Sequence, residues 1–252
     1  MKQQDEKSRI VENKASVYIA KNIAEQGRFV NPSVHVPTVL EAAYMAQHVY
    51  NTTNEDKHKN LGKDFGGWIL IDIMTNTECL KIGVYAKTVD DTTGYALVNK
   101  GTSTRGDWGN NFQQPFGWST DMKDSISKSR QFVKEHTGFE VTMVGHSKGG
   151  AEAVANAVAS NVNCIVFNPA KTFLSAYGLS SDSYTANITE IVVKGEALNT
   201  VQRWFSRPIG KFIYLSTQHT SPWWQVWMYP MNAIKNHRMA AVICGLKEAG
   251  YT

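Results

Sequence analysis

Val141-Thr142-Met143-Val144-Gly145-His146-Ser147-Lys148-Gly149-Gly150 is the stretch that decides the fold. An apolar, strand-like run enters a Gly-x-Ser-x-Gly sequence. A helix of small residues leaves it, with Ala151, Ala153, Ala155, Ala157 and Ala159. A serine between a strand and a helix must occupy a tight, strained turn that lifts its Oγ above the sheet. Gly145 and Gly149 remove the side chains that would collide where strand and helix pass. The helix N-terminus then points at the serine, where its partial positive charge favours a developing oxyanion. Ser147 is the candidate nucleophile.

Outward from this turn the pattern alternates. Downstream of the helix Ser147–Ser160 come strands over Val162–Phe167, Ile188–Val193 and Lys211–Leu215, and a last helix over Asn236–Glu248. Upstream, a helix starts at Thr120 and stops at Gly138, a natural helix end. Strand–helix–strand alternation predicts a parallel sheet with covering helices. Further upstream, Trp68–Ile73, Leu80–Ala86 and Gly94–Asn99 are short β-rich runs joined by turns such as Asp90-Asp91-Thr92-Thr93, which predicts an antiparallel meander. Asn51–Gly67 is a polar loop. Before it, Pro37–Tyr50 and Ser8–Glu25 read as helices, Pro37 suiting a first helical turn. The expected architecture is α/β, a mixed sheet with an antiparallel edge and helices on both faces. Residues 1–252 are expected to form a single domain, with the helices of residues 1–60 expected to pack on it.

Composition agrees with a globular chain. Of 252 residues 42% are hydrophobic and 19% charged, which excludes collagen-like, disordered and coiled-coil classes. Such a length buries about 70–75% of its unfolded surface around one core. The net charge is +4, from 26 basic and 22 acidic residues. The basic residues are scattered, so no nucleic-acid patch is expected, although a mild positive charge suits peripheral contact with an anionic membrane. Cys79, Cys164 and Cys244 form no CxxC pair, which argues against a disulfide framework and a zinc site. No metal or cofactor is called for. Met1–Lys7 is too polar for a signal peptide and no apolar run reaches 18 residues. The expectation is a soluble, leaderless chain, either cytoplasmic or exported without an N-terminal signal.

A serine hydroxyl needs a positioned base. In a strand–Ser–helix arrangement of this kind the triad partners follow in the order acid, then histidine. Only His219 and His237 follow Ser147 in the chain, and spacing favours neither. The acid is expected at the exit of Ile188–Val193, where Lys194-Gly195-Glu196 offers Glu196; Asp182 and Glu190 are weaker candidates. The oxyanion hole takes the Lys148 N–H and a donor from an earlier loop. Lys100-Gly101-Thr102 leaves a strand end with a glycine and a hydroxyl, which makes Thr102 the candidate second donor. Two aromatic groups bear on substrate: Trp108, Phe112, Phe116 and Trp118, then Trp223, Trp224, Trp227 and Tyr229 with Val226 and Met228. Tryptophans favour bilayer interfaces, so Trp108, Trp223 and Trp224, together with His146 beside the nucleophile, are the candidate substrate contacts.

Four separated pieces resemble the class 3 lipases, an α/β-hydrolase group of fungal triacylglycerol lipases and related plant and bacterial enzymes. Ala42-Ala43-Tyr44 resembles their N-terminal helix. Lys100-Gly101-Thr102 with Asp107-Trp108 resembles their F-R-G-[ST] oxyanion loop and its D-W. Gly145–Gly150 resembles G-H-S-L-G-G, and His237 with Met239 resembles the H-x-M that carries the base. Lys148 stands where the family has leucine, Asn99-Lys100 where it has Phe-Arg, and Glu196-Ala197-Leu198 where it has an Asp in a D-P-V-P-like context. The resemblance implies an α/β-hydrolase fold and hydrolysis of long-chain carboxylic esters by Ser147, with His237 rather than His219 as base and Glu196 orienting it. Lipase or phospholipase is the activity so implied. A small-ester esterase or acyltransferase, or an inactive hydrolase fold used for binding, are the alternatives; oligomeric state is left open.

Overall fold

The computed structural model describes residues 34–101, 120–198 and 210–251, all within the compact unit Val34–Thr252. The helix expected over Ser8–Glu25 lies outside them.

Seven strands form one sheet whose spatial order is its chain order: β1 (Ile69–Thr75), β2 (Lys81–Val89), β3 (Thr92–Asn99), β4 (Glu140–His146), β5 (Asn163–Phe167), β6 (Ile188–Val193) and β7 (Lys211–Leu215). β1–β2 and β2–β3 pair antiparallel, and every later pair is parallel. This is the mixed sheet that the runs of β-formers predict. The β2–β3 hairpin turns on two residues, Asp90 and Asp91, with φ of 48° and 60°. A two-residue loop with both φ positive matches the twist of the flanking strands.

Five helices accompany the sheet among the described residues: α1 (Val39–His48), α2 (Thr120–Glu135), α3 (Lys148–Ser160), α4 (Tyr229–His237) and α5 (Met239–Glu248). α1 starts with a capping box in which Thr38 Oγ1 accepts from Glu41 N and Glu41 Oε2 accepts from Thr38 N. Pro37 therefore precedes the cap instead of sitting in the first turn. Strand alternation divides the core. Ala96, Val98, Val144, Ile165 and Phe167 face α1 and α5, while Leu97, Val141, Met143, Cys164 and Val166 face α2 and α3. Each larger buried side chain, such as Phe167 or Leu97, stabilises by about 2–3 kcal/mol. α3 is buried from Gly149 through Ala157, which a helix of small residues permits.

The last helical stretch differs from the sequence-based expectation. α4 ends at His237, and Arg238 (φ −69°, ψ 148°) breaks the chain before α5 begins at Met239. His237 thus closes a helix of its own instead of opening the final one. Pro230 lies in the first turn of α4, where its missing N–H leaves no helical bond unmade.

The exits of β3, β4, β5 and β6 lie side by side: Asn99 is level with Gly145, His146 with Phe167, and Phe167 with Ile191. In open α/β sheets ligands bind at this carboxyl end.

Candidate active site

Ser147 sits at φ 58°, ψ −125°, between β4 and the first residue of α3. A non-glycine residue in this region is strained by about 1–3 kcal/mol. The surrounding backbone offsets the strain. Ser147 N donates to Phe167 O (3.1 Å), and Ser147 O accepts from Gly150, Ala151 and Ala170 N at 3.0–3.2 Å. The glycines are required sterically. A Cβ on Gly145 would lie 2.1 Å from Gly149 O, and one on Gly149 would lie 2.3 Å from Asn99 O. The exit of β3 crosses directly over the nucleophile, since a Cβ on Gly101 would lie 3.4 Å from that of Ser147. The Lys148 N–H is the first amide of α3, one of those that an α-helix leaves without an intrahelical acceptor.

Glu196 leaves β6 after a turn at Gly195 (φ 76°) and is buried. Its Oε2 accepts from Leu198 N (2.9 Å) and from His237 Nδ1 (2.6 Å). His237 is fully buried. With Nδ1 donating to the carboxylate, the neutral ring carries its lone pair on Nε2. His219, the other histidine after Ser147, is exposed and takes no part in this contact. Asp182 is exposed, and Glu190 lies mid-strand in β6, where burial pushes its carboxyl up to about 7.

The carbonyl of His237 is held by two side chains. His146 Nε2 donates to it at 2.7 Å and Asn168 Nδ2 at 3.0 Å. Tyr50 OH in turn donates to His146 Nδ1 (2.8 Å). His146 was expected to touch substrate, but it is 3% exposed and commits both ring nitrogens to the protein. It is a buried post joining the chain just after α1, the nucleophile turn and the end of α4. Asn236 serves a neighbouring purpose: its Oδ1 accepts from Gln218 and His219 N, and its Nδ2 donates to Thr217 Oγ1. The loop after β7 is thereby tied to α4.

Thr102 and Trp108 lie outside the described residues, as does the side chain of Trp223. Trp224 is 58% exposed on the short helical turn Trp223–Met228 that leads into α4. Among the described residues no group of His, Cys, Asp and Glu is placed to hold a metal ion, and no helix is long and apolar enough to cross a membrane.

Residues 41–221 match the family model of the Tle-like phospholipase domain. The chain belongs to that family. It is a serine hydrolase of lipid esters. Solved structures show the same fold at low identity. The lipase–propeptide complex of Rhizomucor miehei has a TM-score of 0.55 at 13% identity, over 70% of this chain and 67% of that one. Lipase II of Rhizopus niveus gives 0.52 at 14%, over 79% and 91%. A triacylglycerol lipase of Penicillium expansum gives 0.51 at 15%, over 74% and 79%. A search of curated protein sequences finds no match.

Within this Tle-like phospholipase domain, burial, and then the neighbouring His237, push His146 down to about 3. Its folded value is depressed, so its contribution to stability is present above about pH 6.5 and is lost as pH falls toward 3. The domain is expected to lose about 2–3 kcal/mol of unfolding free energy between pH 7 and pH 4.5 through this group. Urea titrations of wild type and His146→Gln check it. The difference between the two should shrink by that amount on acidification, and a difference independent of pH would contradict the assignment.

Tyr50, Asn168 and Asn236 are parts of the site that the motif reading does not reach. Asn168 carries a weak signal: it is the first polar residue after the apolar run Cys164–Phe167.

Proposed function

We propose that the Tle-like domain cleaves phospholipid acyl esters through a triad of Ser147, His237 and Glu196 and a covalent acyl-enzyme. Ser147 Oγ attacks the ester carbonyl carbon and passes its proton to His237 Nε2. The buried Glu196 carboxylate balances the imidazolium charge. The oxyanion is held by the Lys148 N–H and by a donor from the chain beyond Gly101, which is Thr102 in this reading. Collapse breaks the ester C–O bond, and His237 returns the proton to the leaving alcohol. Water then repeats the sequence to free the fatty acid and restore Ser147. The observation that carries this reading is the 2.6 Å bond between the buried Glu196 and His237, on a ring 4.9 Å from that of His146, the neighbour of Ser147.

Phospholipid is favoured as substrate by the family, and a bilayer is favoured as partner by the exposed Trp224, Tyr229 and Met231 on the segment leading to His237. Aromatic side chains sit well at the headgroup level of a membrane. Fatty-acid release from phosphatidylglycerol–phosphatidylcholine vesicles, from a triacylglycerol emulsion and from p-nitrophenyl butyrate tests the choice. Vesicles are expected to turn over fastest per ester. Rapid cleavage of the soluble ester with intact vesicles would favour the small-ester esterase.

A further inference from the structure

The residue after the nucleophile is a lysine, an unexpected charge in a place packed between a sheet and a helix. Its Nζ lies 2.7 Å from Asp121 Oδ2 in the first turn of α2, and 3.5 Å from Glu152 Oε1 one turn along α3. Burial pulls this ammonium down, and Glu152 and Asp121 outweigh it, holding it above its ordinary value. Burial pushes Glu152 up to about 7, against the pull of Lys148 and Asn99.

The other oxygen of Glu152 accepts from Asn99 Nδ2 (3.2 Å), on the last residue of β3. Asn99 also donates to Ser125 Oγ (2.8 Å) and accepts from Asn156 Nδ2 (3.2 Å). Asp121 is braced from the β1–β2 turn by Asn76 Nδ2 (3.1 Å). Asn99, Ser125, Glu152 and Asn156 are each no more than 1% exposed.

Apolar side chains would fill this space more cheaply, because burying charge is often no gain over hydrophobic packing. What a hydrogen-bonded network adds is direction. It spans the two segments from which an oxyanion hole draws its donors: the peptide of Lys148 and the chain leaving β3 at Asn99-Lys100-Gly101. Those segments are already in contact, with Asn99 O only 2.3 Å from where a Gly149 Cβ would be. Apolar surfaces in such contact can slide, whereas the bonds from Lys148 through Glu152 to Asn99 set one register.

We propose that Lys148, Glu152 and Asn99 are positioning residues that fix the Lys148 N–H relative to the β3 exit and so set the geometry of the oxyanion hole. This rests on the triad reading above. No side chain of the network needs to touch substrate, because each acts through the backbone it holds.

The test compares Lys148→Met, Lys148→Arg and Glu152→Gln with wild type on p-nitrophenyl butyrate. Amide hydrogen exchange is followed over residues 94–101 and 146–152, with thermal melts alongside. Lys148→Met is expected to lower kcat about 10- to 100-fold with KM within about twofold, a fraction of what losing an oxyanion donor costs. Exchange should quicken in both segments while the melt stays cooperative. Lys148→Arg should recover most of kcat. Glu152→Gln, which keeps an acceptor for Asn99, should lose less than Lys148→Met. A folded Lys148→Met with unchanged kcat and unchanged exchange would overturn the proposal. If Lys148→Met does not fold, the same judgement falls on Glu152→Gln, where unchanged kcat and exchange would overturn it. If wild type cleaves no ester, yet exchange still quickens in both segments of Lys148→Met, the mechanical coupling stands and the triad reading fails.

Discussion

Ser147→Ala is expected to lower ester hydrolysis on the order of a million-fold in kcat, with the fold unchanged. The size follows from what remains. Without Oγ no acyl-enzyme forms, and only substrate binding and the oxyanion donors are left to help water attack directly. The fold should survive because alanine keeps the Cβ at φ 58° and because the serine side chain makes no capping bond to α3. The backbone bonds that hold the turn, to Phe167 O and from Gly150, Ala151 and Ala170 N, involve no side-chain atom of residue 147. Unfolding free energy should therefore change by no more than about 0.5 kcal/mol. Fatty-acid release and a urea titration on the same preparation measure both quantities. A variant keeping a tenth of wild-type rate would place the nucleophile elsewhere.

Glu196→Ala is expected to lower kcat on the order of ten-thousand-fold. Its carboxylate is the partner of His237 Nδ1, and both groups are buried, so no water substitutes for it readily. Removing it lets the ring rotate or change tautomer and leaves the imidazolium of the transition state without its counter-charge. Glu196→Gln separates these two losses. Leu198 N and His237 Nδ1 converge on the same oxygen, Oε2, so a glutamine carbonyl placed there can accept from both. The tautomer is then retained and only the charge is lost, which predicts a smaller fall than in the alanine variant. Single-turnover acylation rates for the two variants decide this. Equal losses would mean that charge dominates, and less than tenfold loss in Glu196→Ala would transfer the acid role to another carboxylate.

How much of this was readable from the chain depends on how local each requirement is. The nucleophile turn was legible because part of its sterics is local: a Cβ on Gly145 would meet Gly149 four residues on, whereas the space at Gly149 is closed by Asn99 at the exit of β3. The strands were legible because each buried run, such as Cys164–Phe167, shows its own apolarity. Glu196 stood out as the carboxylate at the exit of β6. The base did not stand out from residues alone, since His219 and His237 both follow Ser147, and choosing between them took the resemblance. The structure places His237 against Glu196 by ending α4 there, a boundary made by the extended Arg238 that nothing in Lys235–Met239 announces. The start of α4 went unread among the crowded aromatics of Trp223–Tyr229, although Pro230 in its first turn suits a helix start. Tyr50 and Asn168 were out of reach for another reason. Tyr50 acts through His146, and His146 and Asn168 bond to the main-chain carbonyl of His237, a group that every residue has. Glu152 is a lone carboxylate in a run of alanines, and nothing in the chain singles it out. Its partners Asn99 and Asp121 come from β3 and α2, and only the fold brings them together.

The account turns on an activated serine at the end of β4, and covalent labelling tests that most directly. Intact mass is measured after wild type and Ser147→Ala are exposed to a fluorophosphonate, with and without phospholipid vesicles. The expected result is one adduct per wild-type chain and none on Ser147→Ala. A folded wild-type chain that stays unlabelled in both conditions, or a Ser147→Ala chain that labels as fully as wild type, would contradict the account.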